Sequence, residues 1–211
     1  YFEFLKSQES NPLLGGRGAR NPARTLRIKG KAKTVIEYPL KYEELEKLYH
    51  QYKASYTIPL ESKGRTLPRP VRERMLLAHQ RNVVVLSLLI WQGLHSGEMA
   101  KLETTHINLN EGAIYIPSTA RSNSRELKLH NQQILTLHTY LHGGTRDKLA
   151  PVDDELIPGN LHNIVGQLTE QLKGINPQIR NALHIRASVI LHWLKQYNKR
   201  QVQYMAGHRY I

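Results

Sequence analysis

The sequence predicts a mostly α-helical α+β domain with a small antiparallel β-sheet, and three patterns carry that prediction. Apolar residues recur at three- and four-residue spacings in several stretches, most cleanly at Leu161, Ile164, Val165, Leu168 and Leu172. Residues 83–91, VVVLSLLIW, are apolar on every side except at Ser87, as in a helix buried within a core. Between these stretches, HINL and AIYIP alternate apolar and polar residues around Asn110-Glu111-Gly112, the period and punctuation of a hairpin.

Taken in order, Tyr1 to Ser10 mixes large apolar residues with charges and reads as the end of a helix. Asn11-Pro12 stops it, because the residue before proline avoids the helical region. This opening is expected to be the interior of a larger protein. GGRGARNPARTLRIKGKAK follows, glycine-rich and strongly basic with no apolar period. It is a linker, an arm that orders along phosphates, or both. Pro39 marks the entry to the folded part. Leu45, Leu48, Tyr49, Tyr52 and Tyr56 predict an amphipathic helix with half-buried tyrosines. Thr57 to Pro70 is polar and broken by prolines, hence a loop. Val71 to Trp91 is the expected central helix.

Gln92 to Glu98 closes that helix and opens another, which sends Leu94, Met99 and Leu102 to the core. RELKL is a third strand, behind the loop of residues 118–124. Gln132 to Leu141 is helical, and GGTRDKLAPVDDE is an exposed loop. GINP ends the helix that starts near Leu161. In the last stretch Asn181 caps a helix that buries Ile185, Val189 and Trp193, and Asn198 caps another that stops at Gly207.

The chain of 211 residues carries 30 Lys and Arg against 17 Asp and Glu, a formal charge of +13. Such an excess points to a polyanionic partner, nucleic acid first. No basic helix with an aromatic apolar face supports a membrane surface instead. The longest apolar run is about half of the roughly 20 residues a membrane span requires, and no secretory signal pattern opens the chain. With no cysteine there is no disulfide framework and no cysteine-based zinc site, which fits a reducing cytoplasm. His138 and His142 stand four apart on a helix, but no third ligand accompanies them, so a plain helix surface is the better reading. Phosphate-binding glycine loops, a nucleophile elbow and a dinucleotide fingerprint are absent.

Two residues near the end stand off the core face. Arg186 is read as lying in the first turn of its helix, where it opposes the helix dipole unless an anion sits there. His208 follows the glycine that ends the next helix. Taken singly, each is a surface or loop residue. Together, IRASVI and MAGHRYI on this helix–helix frame resemble the second conserved box of tyrosine recombinases, the phage-integrase family. That box reads His-x-x-Arg, a helix, Leu-Gly-His and then the nucleophilic tyrosine nine residues past that histidine. The likeness is greatest to integrases of mobile elements in the Bacteroides group of bacteria.

The resemblance implies site-specific cutting and rejoining of double-stranded DNA through a 3′-phosphotyrosyl link, with no cofactor and no metal. Residues 1–38 would be the end of a core-binding domain and a basic linker. Residues 39–211 would be the catalytic domain, ending before the nucleophile. Arg186 matches the second arginine and His208 the histidine before the tyrosine. Gly93, Leu94 and Glu98 match the first box, but His95 stands where its arginine belongs. Leu183 occupies the histidine position of the second box, with His184 one place along. The family's lysine falls near Ala120, which makes Arg121 the nearest cation. Arg17, Arg20, Arg24, Arg27, Lys29, Lys31 and Lys33 of the arm, with Arg125, are the expected DNA contacts. The partners implied are DNA and further copies of the chain, a tetramer on DNA. A second reading is a DNA-binding relative that does not cleave. A basic RNA-binding module is a third, but the chain lacks aromatic-rich strands on which bases could stack.

Overall fold

The computed structural model describes residues 38–56, 61–62 and 65–209. The basic arm, the expected helix end before it, Tyr210 and Ile211 lie outside the described residues.

Helix α1 spans Tyr42–Ala54 and buries Leu45, Leu48, Tyr49 and Tyr52 of the predicted stripe; Tyr56 falls beyond its end, and Tyr49 and Tyr52 are buried outright where the sequence reading has them half-buried. The expected loop of residues 57–70 contains a small hairpin, β1 Glu61–Ser62 with β2 Arg65–Thr66. Strands of two residues leave no period-2 pattern to read. Helix α2 runs Arg69–Trp91, two residues longer at its start than predicted, with a proline in its first turn where no N–H partner is lost. Its last turns are buried all round, and it packs against α1 and every long helix that follows except the last. Helix α3, Ser96–Met99, is a single turn.

After a 3-10 turn at Thr104–His106 comes the sheet: β3 Ile107–Asn108, β4 Ala113–Ile116 and β5 Arg125–Lys128. The order is β3-β4-β5, antiparallel throughout, with Ile107 opposite Ile114 and Ile116 opposite Arg125. Helix α4 spans Asn131–His142. The stretch read as an exposed loop after it holds a short helix, α5 Thr145–Leu149. Arg146 is buried there and donates to the carbonyls of Ala150, Asp153 and Glu155, so the loop closes around a charged side chain. Helices α6 Leu161–Ile175, α7 Ala182–Gln196 and α8 Lys199–Ala206 complete the domain.

A buried amide pair ties the end of α2 to the sheet. Gln92 and Gln133 each donate to the other, at 2.8 and 2.7 Å. Gln92 also reaches the Lys128 carbonyl at 3.0 Å, and Gln133 reaches the Ser87 hydroxyl at 3.1 Å. Both amides are satisfied, so the network locks a register where a purely apolar contact could slide. Gly93, just beyond, adopts φ +56°, and a Cβ there would lie 3.2 Å from the Trp193 ring. That close approach seats α7 against the turn leading to His95.

Candidate active site

The site forms where four segments meet: the α2–α3 turn, the β4–β5 loop, one face of α6, and the pair α7–α8. His95 is the N-cap of α3. Its Nδ1 accepts from the Glu98 N–H at 3.2 Å, while the Glu98 carboxylate accepts from the His95 N–H at 3.1 Å. An imidazole nitrogen that accepts a backbone N–H carries no proton, so this ring is neutral with its hydrogen on Nε2. Burial lowers the pKa of His95; Glu98 opposes the shift, and Arg186, Arg125 and Arg121 reinforce it. Its Nε2 lies 3.7 Å from the Glu98 carboxylate, and with a neutral ring that approach is not an ion pair.

Glu98 is fully buried between two guanidiniums. Arg125 donates to one oxygen at 2.6 Å and Arg186 to the other at 3.2 Å. Burial pushes the carboxyl pKa up. The hydrogen bond and charge of Arg125, the His95 N–H and Arg186 outweigh it, and the net direction is down. The triad keeps one net positive charge inside the domain.

Arg186 is the fifth residue of α7 and sits past the first turn, contrary to the sequence reading. Its NH1 donates to the Gly93 carbonyl and to Glu98, and its NH2 donates to the Ala206 carbonyl at 2.8 Å. Of the five N–H groups on a guanidinium, this leaves Nε–H and one hydrogen of NH2. The side chain is 10% exposed, and it lines a cleft.

That cleft has a volume of about 650 Å³. His95, Arg121, Leu183 and Arg186 line it, with His208 at the end of α8. Arg121 is exposed at the tip of the β4–β5 loop, where Thr119 and Ser122 fold a tight turn through their hydroxyls. Gly207, at φ +70°, ends α8 and turns the chain so that His208 pairs with Ser122. The Asn123 N–H donates to the Gly207 carbonyl at 3.0 Å. Burial, then Arg186 and Arg125, lower the pKa of His208, against the pull of Glu98.

Two expected site residues lie elsewhere. His184 is buried on another side of α7, with Nε2 2.7 Å from the Tyr38 carbonyl and Nδ1 accepting from the Arg180 N–H at 3.4 Å. One residue is about 100° round a helix, so the place facing the cleft belongs to Leu183. Arg125 does not face outward to DNA: its side chain has 0% exposure, and it also donates to the Met205 carbonyl at 2.8 Å. The alternation of β5 contained this signal, since Arg125 shares the inward side of the strand with Leu127. Sequence reasoning misses His162 and Arg180, which also line the cleft. No motif marks either one. Among the described residues no group of three or more His, Cys, Asp or Glu could hold a metal ion, and His138 and His142 face each other without a third ligand.

No protein-family model matches the chain, and no curated protein matches it in sequence. Solved structures match its fold. It is similar to the XerH site-specific recombinase bound to difH substrate in a pre-cleavage complex, at 21% identity and a TM-score of 0.56, over 81% of this chain and 47% of that one. It is similar to the Tn1549 transposon integrase in complex with a circular intermediate DNA, at 13% identity and a TM-score of 0.55, over 90% of this chain and 62% of that one. XerA recombinase matches at 19% identity and a TM-score of 0.51, over 80% of this chain and 67% of that one. The chain thus spans between about half and two thirds of the length of these structures. Its fold is that of a tyrosine-recombinase catalytic domain.

Proposed function

We propose that this chain is the catalytic domain of a site-specific DNA recombinase, one that integrates or excises a mobile element. The observation that carries the reading is the meeting of His95, Arg186 and His208, far apart in sequence, in one basic cleft. Cutting a phosphodiester without metal requires donors on the non-bridging oxygens, an in-line nucleophile and a proton for the leaving 5′ oxygen. Arg186 offers two N–H groups from a guanidinium whose other donors are already fixed, so it needs little reordering. His95 offers Nε2–H as a neutral donor. Arg121, on its hydrogen-bonded turn, would bring an exposed positive charge to the same oxygens. His208 stands before the segment that would carry the tyrosine. The arm residues Arg17 to Lys33 would run along the duplex, and copies of the chain would assemble on DNA as a tetramer. This work belongs in the bacterial cytoplasm, and among the described residues no helix is long and apolar enough to cross a membrane. Kinship with integrases of the Bacteroides group rests on the IRASVI and MAGHRYI stretches.

The second reading, a DNA-binding relative that does not cleave, is favoured by the chemistry the cleft lacks. The lysine's place falls near Ala120, with no lysine in the loop of residues 118–124, and a histidine stands at that of the first arginine. Arginine holds its proton too tightly to serve the leaving oxygen as lysine would. The two readings separate on a nicked suicide duplex, with a chain extended past Ile211 to the position of the tyrosine. A covalent protein–DNA adduct supports the recombinase. Tight duplex binding with no adduct selects the second reading, and no duplex binding rejects both.

A further inference from the structure

The recombinase reading leaves one role unfilled, because no lysine stands in the β4–β5 loop to give the leaving 5′ oxygen its proton. Neither His95 nor Arg121 fills it. The His95 ring is neutral, and giving up its Nε2 hydrogen would leave an anion. Arg121 stays charged at any working pH.

Lys101 reaches the same loop from another element. It lies in the turn that closes α3, with its backbone N–H donating to the Glu98 carbonyl at 3.1 Å. Leu102 beside it is buried, and its carbonyl accepts from the Leu156 N–H at 2.8 Å. The backbone under Lys101 is thereby fixed to the residue that holds both buried guanidiniums. Lys101 itself is exposed, and its Nζ donates to the Ser118 carbonyl at 2.9 Å. It thus bridges the segment that brings His95 and Ser96 into the cleft and the loop that brings Arg121 and Ser122 there. Ser118 stands two residues before Ala120, and two residues of chain span at most about 7 Å. The ammonium therefore rests about one side chain's length from the place that the resemblance gives to the family's lysine. Ser118 takes one of its three N–H groups, and the flexible stem lets the others turn toward the cleft. The bond is not what shapes the loop. Thr119 and Ser122 fold it through their hydroxyls, and the Asn123 N–H ties it to the Gly207 carbonyl.

We propose that Lys101 is the proton donor to the leaving 5′ oxygen, in place of the lysine that the loop lacks. The inference rests on the recombinase reading and on the tyrosine that reading requires. The tyrosine oxygen bonds to phosphorus as the P–O5′ bond breaks. The electron pair of that bond goes to O5′, which takes a proton from Nζ. The proton of the tyrosine hydroxyl passes to solvent, which returns one to the amine. Rejoining runs the same transfers backwards, with the amine as base.

The test uses the chain extended past Ile211 to the position of the tyrosine, and two nicked suicide duplexes. One has an ordinary scissile phosphate. The other has sulfur in place of the 5′ bridging oxygen, a leaving group that departs as a thiolate and requires no proton. On the ordinary duplex Lys101→Met should form adduct about 10²-fold or more slowly. On the sulfur duplex it should match the parent. Lys101→Arg keeps the charge but holds its proton, so it should show the same split. Thermal unfolding checks that both fold; should Lys101→Met misfold, Lys101→Arg carries the comparison. Equal losses on both duplexes would make Lys101 a residue that positions the loop or the phosphate, and no loss on either would make it a bystander. Each result overturns the proposal, as does full rescue by Lys101→Arg or a split that appears in His162→Ala instead. A parent that cleaves only the sulfur duplex would lack a proton donor, which leaves the recombinase reading standing and removes this role from Lys101. A parent that forms no adduct on either duplex fails the recombinase reading itself, and the proposal with it.

Discussion

At the scale of single residues, the cleft departs from its resemblance at His95. The ring is already committed through Nδ1 to the Glu98 N–H, so it brings one neutral donor where an arginine would bring several charged ones. If the extended chain cleaves DNA, His95→Ala should lower adduct yield by roughly 10²–10³, and His95→Arg should restore or raise it. An unchanged yield in His95→Ala would make the position a bystander and Arg121 the acting cation. Glu98→Gln tests the triad. It leaves two buried guanidiniums facing each other with no counter-charge and should cost about 3–5 kcal/mol in urea denaturation. Arg125→Met leaves a neutral Arg186–Glu98 pair and should cost less. Acid should also weaken the fold through histidines. Burial holds His79, His95 and His208 below their ordinary pKa, so the unfolded chain binds more protons than the native one below about pH 6.5. Their contribution is complete above that pH and is lost as pH falls through the folded pKa values. Stability should therefore decline before the ordinary carboxylates titrate, and His79→Phe should flatten part of the slope. The resemblance marks His95, Arg186 and His208. It gives the histidine position of the second box to Leu183, and His184 could take it over only if α7 began irregularly; α7 is regular from Ala182, so Leu183 lines the cleft and His184 is buried elsewhere. The alternation of β5 puts Arg125 on the side of Leu127, but the carboxylate that compensates its buried charge, Glu98, is 27 residues away and shows only in the structure.

At the scale of elements, the end of α8 is the most constrained feature near the site. Its last carbonyls, at Met205 and Ala206, accept from the two buried arginines, where a helix end would otherwise face water. Gly207 then turns left-handed, and a Cβ on it would run into the Arg125 guanidinium. Gly207→Ala should cost at least about 1–2 kcal/mol from the backbone alone and displace His208 from Ser122. Thermal unfolding and the chemical shift of His208 would register both effects, and a variant as stable as the parent would contradict the packing described. The caps were legible in advance. Asn181 and Asn198 each accept from a first-turn N–H, at 2.8 and 2.9 Å, as their side chains allow. The β1–β2 hairpin and α5 were not legible. Two-residue strands carry no alternation, and α5 is a five-residue turn organised by Arg146 and the carbonyls of the irregular stretch that follows it. No local periodicity records such contacts.

At the scale of the whole molecule, the charge of +13 and the fold point the same way. Duplex affinity should fall steeply with salt, and neutralising an arm residue such as Arg20 or Arg24 should reduce the slope by about one for each phosphate that is no longer paired with a cation. A flat salt dependence would remove DNA as the partner. The fold class was legible because amphipathic stripes and a hairpin are local patterns, whereas the cleft is assembled from segments that only the tertiary structure brings together. The most direct test of that assembly is the yield of covalent adduct on a nicked duplex from the extended chain and from its Arg186→Ala variant, with folding checked in parallel. Arg186 has two N–H groups left for the cleft and is the one arginine in a matched position, so the variant should lose roughly 10²–10³ or more of the yield while still binding duplex DNA. An adduct formed equally well without Arg186 would show that the scissile phosphate is held somewhere other than this cleft.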